Sequence, residues 1–135
     1  MTDYAKSNYL ENEICDHIIG ASAWTAPVTL YFALFTVAPT DAGGGTEVTG
    51  GSYAREAKTN NLTNFPAAVD GEKTNANDID FGTATADWGT IVAVAVFDAD
   101  TAGNMLYYGT LDQSKPVSNT DSFKLPAGDV TFKED

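Results

Sequence analysis

The chain contains one histidine and one cysteine, His17 and Cys15, which are the first residues to test for nucleophilic chemistry. A Ser-His-Asp or Cys-His site needs a histidine as its base. The two residues lie two positions apart in a segment with helical periodicity, and such neighbours on a helix point in different directions. We therefore predict that this pair transfers no proton and that His17 lies at the edge of the packing face of the helix.

The segment DADTAGN is similar to a calcium-binding loop through Asp98 and Asp100. The helix-loop-helix calcium motif also needs an oxygen ligand at its fifth position and a bidentate glutamate at its twelfth. Those positions hold Ala102 and Gly109. The segment is therefore predicted to be a β-turn, which Asp and Asn side chains close by bonding to nearby backbone.

Glycine runs and carboxylates offer two further chemistries. The run GGGTEVTGG lacks the Lys-Ser/Thr ending of a phosphate-cradling loop, which predicts a flexible surface loop instead. Glu72, Asp78, Asp80 and Asp87 could supply a glycosidase pair, whose carboxyl groups must lie about 5 to 9 Å apart. Scattered carboxylates are, however, expected in a chain with a net charge of -12.

A lone cysteine forms neither an intrachain disulfide nor a four-cysteine metal site. We predict no enzyme and no catalytic, cofactor-binding or metal-binding residue.

Aromatic and apolar side chains are the more informative set. They have two interpretations: packing inside the domain and at its ends, or contact with a protein or a carbohydrate, because aromatic residues are enriched in interfaces. The sequence leaves both open. The candidate interface residues are Leu10, Ile14, Ile18, Trp24, Tyr53, Trp88, Tyr107 and Tyr108.

One helix is predicted to carry the first of these residues, over positions 3–20. Leu10, Ile14 and Ile18 follow the i, i+4, i+8 spacing of a narrow apolar stripe, and Gly20 is a natural helix end. Such a helix either covers the end of the domain or is an arm that docks on a neighbouring subunit, and the sequence does not distinguish these roles.

Strands are predicted to build the rest of the chain. The run from Ile91 to Phe97 is apolar on both faces and, with residues 105–111, forms a central hairpin. Residues 28–36 form a second central strand, and 59–77 a polar loop with a short strand near 62–65. Short strands separated by Gly, Pro, Asn and Asp are typical of an antiparallel β-sandwich. We predict a mainly β, jelly-roll-like sandwich over 23–135, preceded by an N-terminal amphipathic helix or arm over 1–22.

Composition excludes two classes of partner. At 135 residues the chain has the length of one domain. Its net charge of -12 opposes binding to nucleic acid, for which basic groups supply most of the affinity. No apolar run approaches the ~20 residues that span a bilayer. The first residues lack the pattern of a signal peptide, so we expect synthesis in the cytoplasm and no membrane partner.

Three segments resemble a family of small tailed-phage virion proteins, which includes tail fibre, minor tail and capsid decoration (cement) proteins. They are AWTAPVTLYFALFTVAPTDAGGGTEVTGGSYAR (23–55), TATADWGTIVAVAVFDADTAGNMLYYGTL (83–111) and SFKLPAGDVTF (122–132). Residues 57–80 carry no such match. The resemblance implies a structural role in the virion and no catalytic residues.

A fibre shaft normally requires repeats, heptads or a β-helix, and the sequence has none. The leading hypothesis is therefore a capsid decoration protein that forms a homo-oligomer, a trimer or a dimer, on the outer virion surface and stabilises the major capsid protein shell. The alternative is a tail-associated or tail fibre-like protein that contacts the host surface. A second alternative, from another class, is a carbohydrate-binding module.

Overall fold

The computed structural model describes residues 3–134, which are mainly β, with antiparallel sheets and a single short helix near the N-terminus. This confirms the predicted fold class. The elements are β1 (Ala5–Lys6), α1 (Asn8–Ile18), β2 (Thr29–Val37), β3 (Thr46–Glu47), β4 (Glu56–Thr59), β5 (Glu72–Thr74), β6 (Ile79–Thr83), β7 (Gly89–Phe97), β8 (Met105–Val117), β9 (Ser122–Leu125) and β10 (Thr131–Lys133).

A six-stranded sheet forms one layer, in the order β1-β8-β7-β2-β3, with β4 beside the first half of β2. Its centre is the predicted hairpin, in which β7 pairs antiparallel with β8 and Val96 lies opposite Tyr107. On its other side β7 pairs with β2, where Leu34 lies opposite Val94. The apolar runs of β2 and β7 therefore occupy the middle of the sheet, where both of their faces are covered.

Two two-stranded sheets, β6-β9 and β5-β10, form the second layer. One buried cluster joins the layers, because it contains side chains of the large sheet and of β6-β9, and Phe132 of β10 packs against it. Its members include Phe32, Leu34, Val94 and Val96 of the large sheet, Ile79 and Leu125 of β6-β9, and Val130 beside β10. Burying a side chain of this size stabilises a fold by roughly 1.5–3 kcal/mol, so this cluster holds the sandwich together.

The opposite face of the large sheet carries a smaller cluster. Ala33, Ala93 and Ala95 are buried there with Phe35 and Met105. Val94 and Val96 face the larger cluster and the alternating Ala93 and Ala95 face this one, so the expectation that β7 is covered on both sides is confirmed.

The helix is shorter than predicted and begins at residue 8 rather than near 3. Residues 5 and 6 instead pair with Tyr108 and Tyr107 of β8. Ser7 then takes an extended conformation and caps α1, because its Oγ accepts the backbone N–H of Leu10 at 3.2 Å. Its hydroxyl also donates to the carbonyl of Met105. These contacts with β8 end the strand and start the helix.

The loop after β4 also differs from the prediction. Residues 62–65 form turns rather than a strand. The side chain of Asn61 accepts the backbone N–H of Asn64 at 2.9 Å, which stabilises a turn in place of a strand ladder. The only strand between positions 60 and 78 of the described chain is β5, which pairs with β10.

Candidate interaction surface

An apolar groove lies between α1 and the edge of the sandwich. We call it the helix groove. It has a volume of about 220 Å³, and Ile14, Trp24, Pro27, Leu30, Tyr107 and Phe132 line much of it, together with the buried Leu10. Four of the eight candidate interface residues therefore meet here: Leu10, Ile14, Trp24 and Tyr107. Ile18 lies one turn further along α1 and is 68% exposed.

Side-chain hydrogen bonds hold the walls of the helix groove. The backbone N–H of Trp24 donates to Nδ1 of His17 at 3.2 Å, and the indole N–H of Trp24 lies 3.4 Å from the hydroxyl of Tyr9. His17 therefore has a structural role here, since it fixes the segment that follows α1. Ser7, which links the start of α1 to β8, fixes the other end of the helix.

Tyr107 forms a rigid part of the opposite wall. Its ring packs edge-on against Phe132, with 5.0 Å between ring centroids. Its hydroxyl donates to Oε1 of Glu134 at 3.1 Å. Burial raises the pKa of the Tyr107 phenol, and the negative charge of Glu134 raises this pKa further. The phenol is thus a neutral donor at physiological pH.

Tyr53 and Trp88 do not line the helix groove. Trp88, one of the candidate interface residues, is only 4% exposed, and its indole N–H donates to the carbonyl of Gly51 at 2.9 Å. Tyr53 packs edge-on against Trp88, with 5.6 Å between ring centroids. In the single subunit both side chains therefore pack the sandwich.

Tyr108 lies on the far face of the large sheet, where its hydroxyl donates to the carboxylate of Asp41. Nearby, residues 43–45 and the first residues of α1 line a cavity of about 450 Å³ that Phe35 and Phe97 also reach. The backbone N–H of Asn8 donates to the carbonyl of Asp41 at 2.9 Å. The glycine-rich loop is therefore tied to the helix start, a long-range contact for which the sequence carries no local signal.

The segment DADTAGN forms the loop between β7 and β8, and it is wider than the predicted β-turn because its closing backbone hydrogen bond joins Asp98 to Asn104, six positions apart. Oδ1 of Asp98 accepts the backbone N–H of Asn104 at 2.7 Å, and Oδ2 accepts its side-chain amide at 2.9 Å. Among residues 3–134, no three His, Cys, Asp or Glu side chains lie close enough together to hold a metal ion.

The four carboxylates considered for hydrolysis each contact a different partner. Glu72 forms an ion pair with Lys133 at 3.4 Å. The other three carboxylates accept backbone N–H groups: Asp80 that of Gly82, Asp87 that of Asn119, and Asp78 that of Ala127. The hydrogen bond from the Ala127 N–H, then the hydrogen bond and the charge of Lys124, hold the pKa of Asp78 below its usual range. These contacts assign local structural roles to all four side chains.

The fold and this surface define a class first: a small antiparallel β protein with an apolar groove beside its short N-terminal helix. Residues 5–133 match the family model described as Podophage GP4 fiber I protein gp80, and the chain belongs to this family. It is a structural protein of a bacteriophage virion, as the resemblance implied. Comparison with curated proteins gave no match. No helix in the described part of the chain is long and apolar enough to cross a membrane.

Proposed function

We propose that the chain is a non-enzymatic subunit of the tail fibre apparatus of a podophage. The single observation that carries this proposal is the family match, which runs from β1 to β10 and has the description of a fibre protein. It favours the tail alternative over the capsid decoration that the sequence alone ranked first. Contact with the host surface is then a role of the assembled fibre.

The helix groove supports attachment to other virion subunits. Its apolar lining is open to solvent beside the exposed Ile18 and Ile19 at the end of α1, which are 68% and 80% exposed. Exposed apolar patches that border polar surface mark interaction sites. We also propose that the subunit forms a homo-oligomer, a dimer or a trimer, because multivalent attachment adds up weak individual contacts. Sedimentation of the purified chain measures this state.

The location in the particle tests the function. A gold-labelled antibody against the chain, imaged on intact virions, should label the tail and leave the shell unlabelled. Quantitative gels should give a copy number comparable with those of tail proteins. Label spread over the shell, with a copy number close to that of the major capsid protein, would overturn the fibre proposal and support decoration.

Capsid decoration is the second candidate, because the chain has the net charge of -12 suited to a solvent-facing outer surface and lacks shaft repeats. The carbohydrate-binding alternative gains no support from Trp88, whose buried ring offers no face on which a sugar could stack.

A further inference from the structure

We propose that β4 is an interface between two copies of this chain, which pair antiparallel along their outer β4 edges about a two-fold axis. The inference rests on the proposed role as an oligomeric virion subunit and names the surface through which two copies meet. Three features of the described residues carry it: the free edge of β4, the direction of its backbone groups and its charge pattern.

β4 lies at the end of the large sheet and is paired on one side only. Within residues 3–134 its strand partner is β2, along which Phe32 lies opposite Glu56. β6 packs near β4 but pairs with β9 instead. An unpaired edge presents a row of backbone donors and acceptors to another strand. β4 can therefore accept one further strand.

The backbone groups of Ala57 and Thr59 point toward this free edge. At the end of the ladder with β2, the N–H of Asn60 donates to the carbonyl of Val28 at 2.9 Å. Hydrogen-bonded and non-hydrogen-bonded pairs alternate along an antiparallel ladder. Counting back from Asn60, Lys58 therefore bonds to β2. Thr59 and Ala57 direct their N–H and carbonyl groups away from β2.

Asn64 supports this direction, because its side-chain amide donates to the outward carbonyl of Thr59 at 2.8 Å. No side chain of residues 3–134 caps Ala57 in this way. The N–H and the carbonyl of Ala57 are therefore the groups that a second strand can bond.

The charges of β4 select one register for the pairing. With Ala57 opposite the partner's Ala57, the two residues exchange both of their backbone hydrogen bonds across the axis. Glu56 then lies opposite the partner's Lys58, and by symmetry Lys58 lies opposite the partner's Glu56. A shift of two residues either way keeps the outward groups in step but places two lysines or two glutamates opposite each other. Opposite charges stabilise a strand pair and like charges destabilise it, so the first register is favoured.

The second copy completes an ion pair that already exists within the subunit. Nζ of Lys58 lies 3.1 Å from Oε1 of Glu56, and the two side chains are 25% and 33% exposed. They point to the same face of β4, because they are two positions apart on a strand. In the dimer the four charges alternate around the axis, so each ammonium has a carboxylate on both sides.

The other end of the large sheet is protected against such pairing. There β1 covers part of β8. Beyond it, residues 110–115 of β8 lie opposite the much shorter stretch 91–93 of β7, which makes a bulge, and Pro116 follows. Bulges and prolines prevent the pairing of exposed edges. β4 contains no proline, and its register with β2 is continuous.

Hydrogen exchange and sedimentation equilibrium of the intact chain test the interface together. The N–H of Ala57 should exchange rapidly in dilute samples and slow down as dimers form. The N–H of Lys58, which bonds to β2, should be protected at every concentration and is the internal control. Rapid exchange at Ala57 in a sample that sediments as a dimer would overturn the inference. So would a chain that remains monomeric at millimolar concentration.

A proline at the axis separates the dimer from the fold. Ala57→Pro removes an N–H that points away from β2, and prolines are tolerated at such edge positions. It should raise the dissociation constant about ten-fold or more, because both hydrogen bonds at the axis are lost. Ala67→Pro, at an exposed loop position, is the matched control and should leave the constant unchanged. Equal affinities of the two variants would contradict pairing through Ala57.

A charge swap tests the register without a change in the backbone. Glu56→Lys places lysines opposite each other and should weaken the dimer about ten-fold, although it reduces the net negative charge. Addition of Lys58→Glu exchanges the two signs and should restore the affinity to within about two-fold. Asp16→Lys makes the same charge change at an exposed position of α1 and should not weaken the dimer. Failure of the swapped variant to recover would overturn this register.

These measurements use the purified chain, so they do not depend on its location in the particle, which the labelling experiment reports. An oligomer that Ala57→Pro leaves intact would keep the homo-oligomer proposal and overturn β4 as its interface. The interface and the fibre assignment can therefore fail separately.

Discussion

Arg55 and Glu47 form a bidentate ion pair, in which Nε and Nη2 of Arg55 donate to the two carboxylate oxygens of Glu47, each at 2.9 Å. The remaining nitrogen, Nη1, donates to the carbonyls of Ala99 and Ala102 at 2.8 and 2.9 Å. The guanidinium also lies 3.8 Å from the centroid of the Phe97 ring. One side chain, only 6% exposed, thus ties the loop before β4 to the turn between β7 and β8.

Replacing Arg55 should destabilise the fold. Breaking a buried ion pair costs about 3–5 kcal/mol, but Glu47 is partly exposed, so we expect Arg55→Ala to lower the free energy of unfolding by about 2–3 kcal/mol. Arg55→Lys should recover little of this, because lysine keeps the charge and loses the planar fork. Urea unfolding measures both.

The exposed pair of Lys124 and Asp78 supplies the control for Arg55. Lys124→Ala should cost less than about 1 kcal/mol. If Arg55→Lys proved as stable as the unmodified chain, the fork geometry would have no energetic role.

Sequence patterns predicted the strands whose position depends on the local pattern of apolar residues. β2 and β7 are apolar on both faces, so their central position could be read without knowing their neighbours. The start of α1 could not be predicted in this way, because Ser7 caps the helix while it donates a hydrogen bond to Met105, almost a hundred residues away. Local periodicity carries no information about such contacts.

The same limit applies to the candidate site. Residue type was enough to select Leu10, Ile14, Trp24 and Tyr107, but only the folded chain brings them to one groove. Residue type also selected Trp88, which the approach of Gly51 to its indole N–H fixes in the core. Distinguishing an interface aromatic from a core aromatic requires tertiary contacts, which one sequence does not reveal.

Asn75 should be sensitive to substitution because it is buried and satisfies three backbone groups. Its side-chain amide donates to the carbonyls of Asn77 and Pro126 at 2.8 and 2.9 Å, and its Oδ1 accepts the N–H of Val130 at 3.0 Å. Asn75→Leu should lower the free energy of unfolding by about 2–4 kcal/mol, since each buried group left without a partner costs about 1–3 kcal/mol. Calorimetry should give a much smaller loss for Asn60→Ala, at an exposed position. Similar losses would contradict the role assigned to burial.

Asp78 makes the stability of the fold depend on pH at the acid end. Its pKa is lowered first by the N–H of Ala127 and then by Lys124. A carboxyl whose folded pKa is below its unfolded value, about 3.9, stabilises the fold above that value and loses this contribution as pH falls through the folded pKa. The stability difference between the unmodified chain and Asp78→Asn should therefore be present at pH 7 and shrink below about pH 4.

A carboxyl NMR titration checks the causes of the Asp78 shift directly. In Lys124→Ala, the pKa of Asp78 should rise only part of the way to its usual range, because the hydrogen bond from the Ala127 N–H, the largest single cause of the lowering, remains. A full return to the usual value would assign the effect to the lysine instead.

Gly109 should not tolerate a side chain, because the ring of Tyr4 packs directly over it. A Cβ at this position would lie 2.7 Å from Cδ1 and 3.1 Å from Cε1 of Tyr4. The backbone of Gly109 is not in the left-handed region, so alanine adds only this clash. Gly109→Ala should lower the free energy of unfolding by about 1–3 kcal/mol, the usual cost of overpacking, whereas Thr110→Ala at the exposed neighbouring position should change it little.

Substitutions at Gly109 and Tyr4 should also be energetically coupled. Tyr4 is 1% exposed, and its ring packs edge-on against Phe132 with 5.3 Å between centroids, so Tyr4→Leu is expected to destabilise by itself. In the Gly109→Ala background the smaller leucine relieves the clash, so the loss caused by Tyr4→Leu should be smaller there. Chemical unfolding of the four proteins of this cycle measures the coupling. Strictly additive losses would mean that the ring moves away from the alanine at no cost, and that residues 5 and 6 are held to β8 mainly by their backbone pairing.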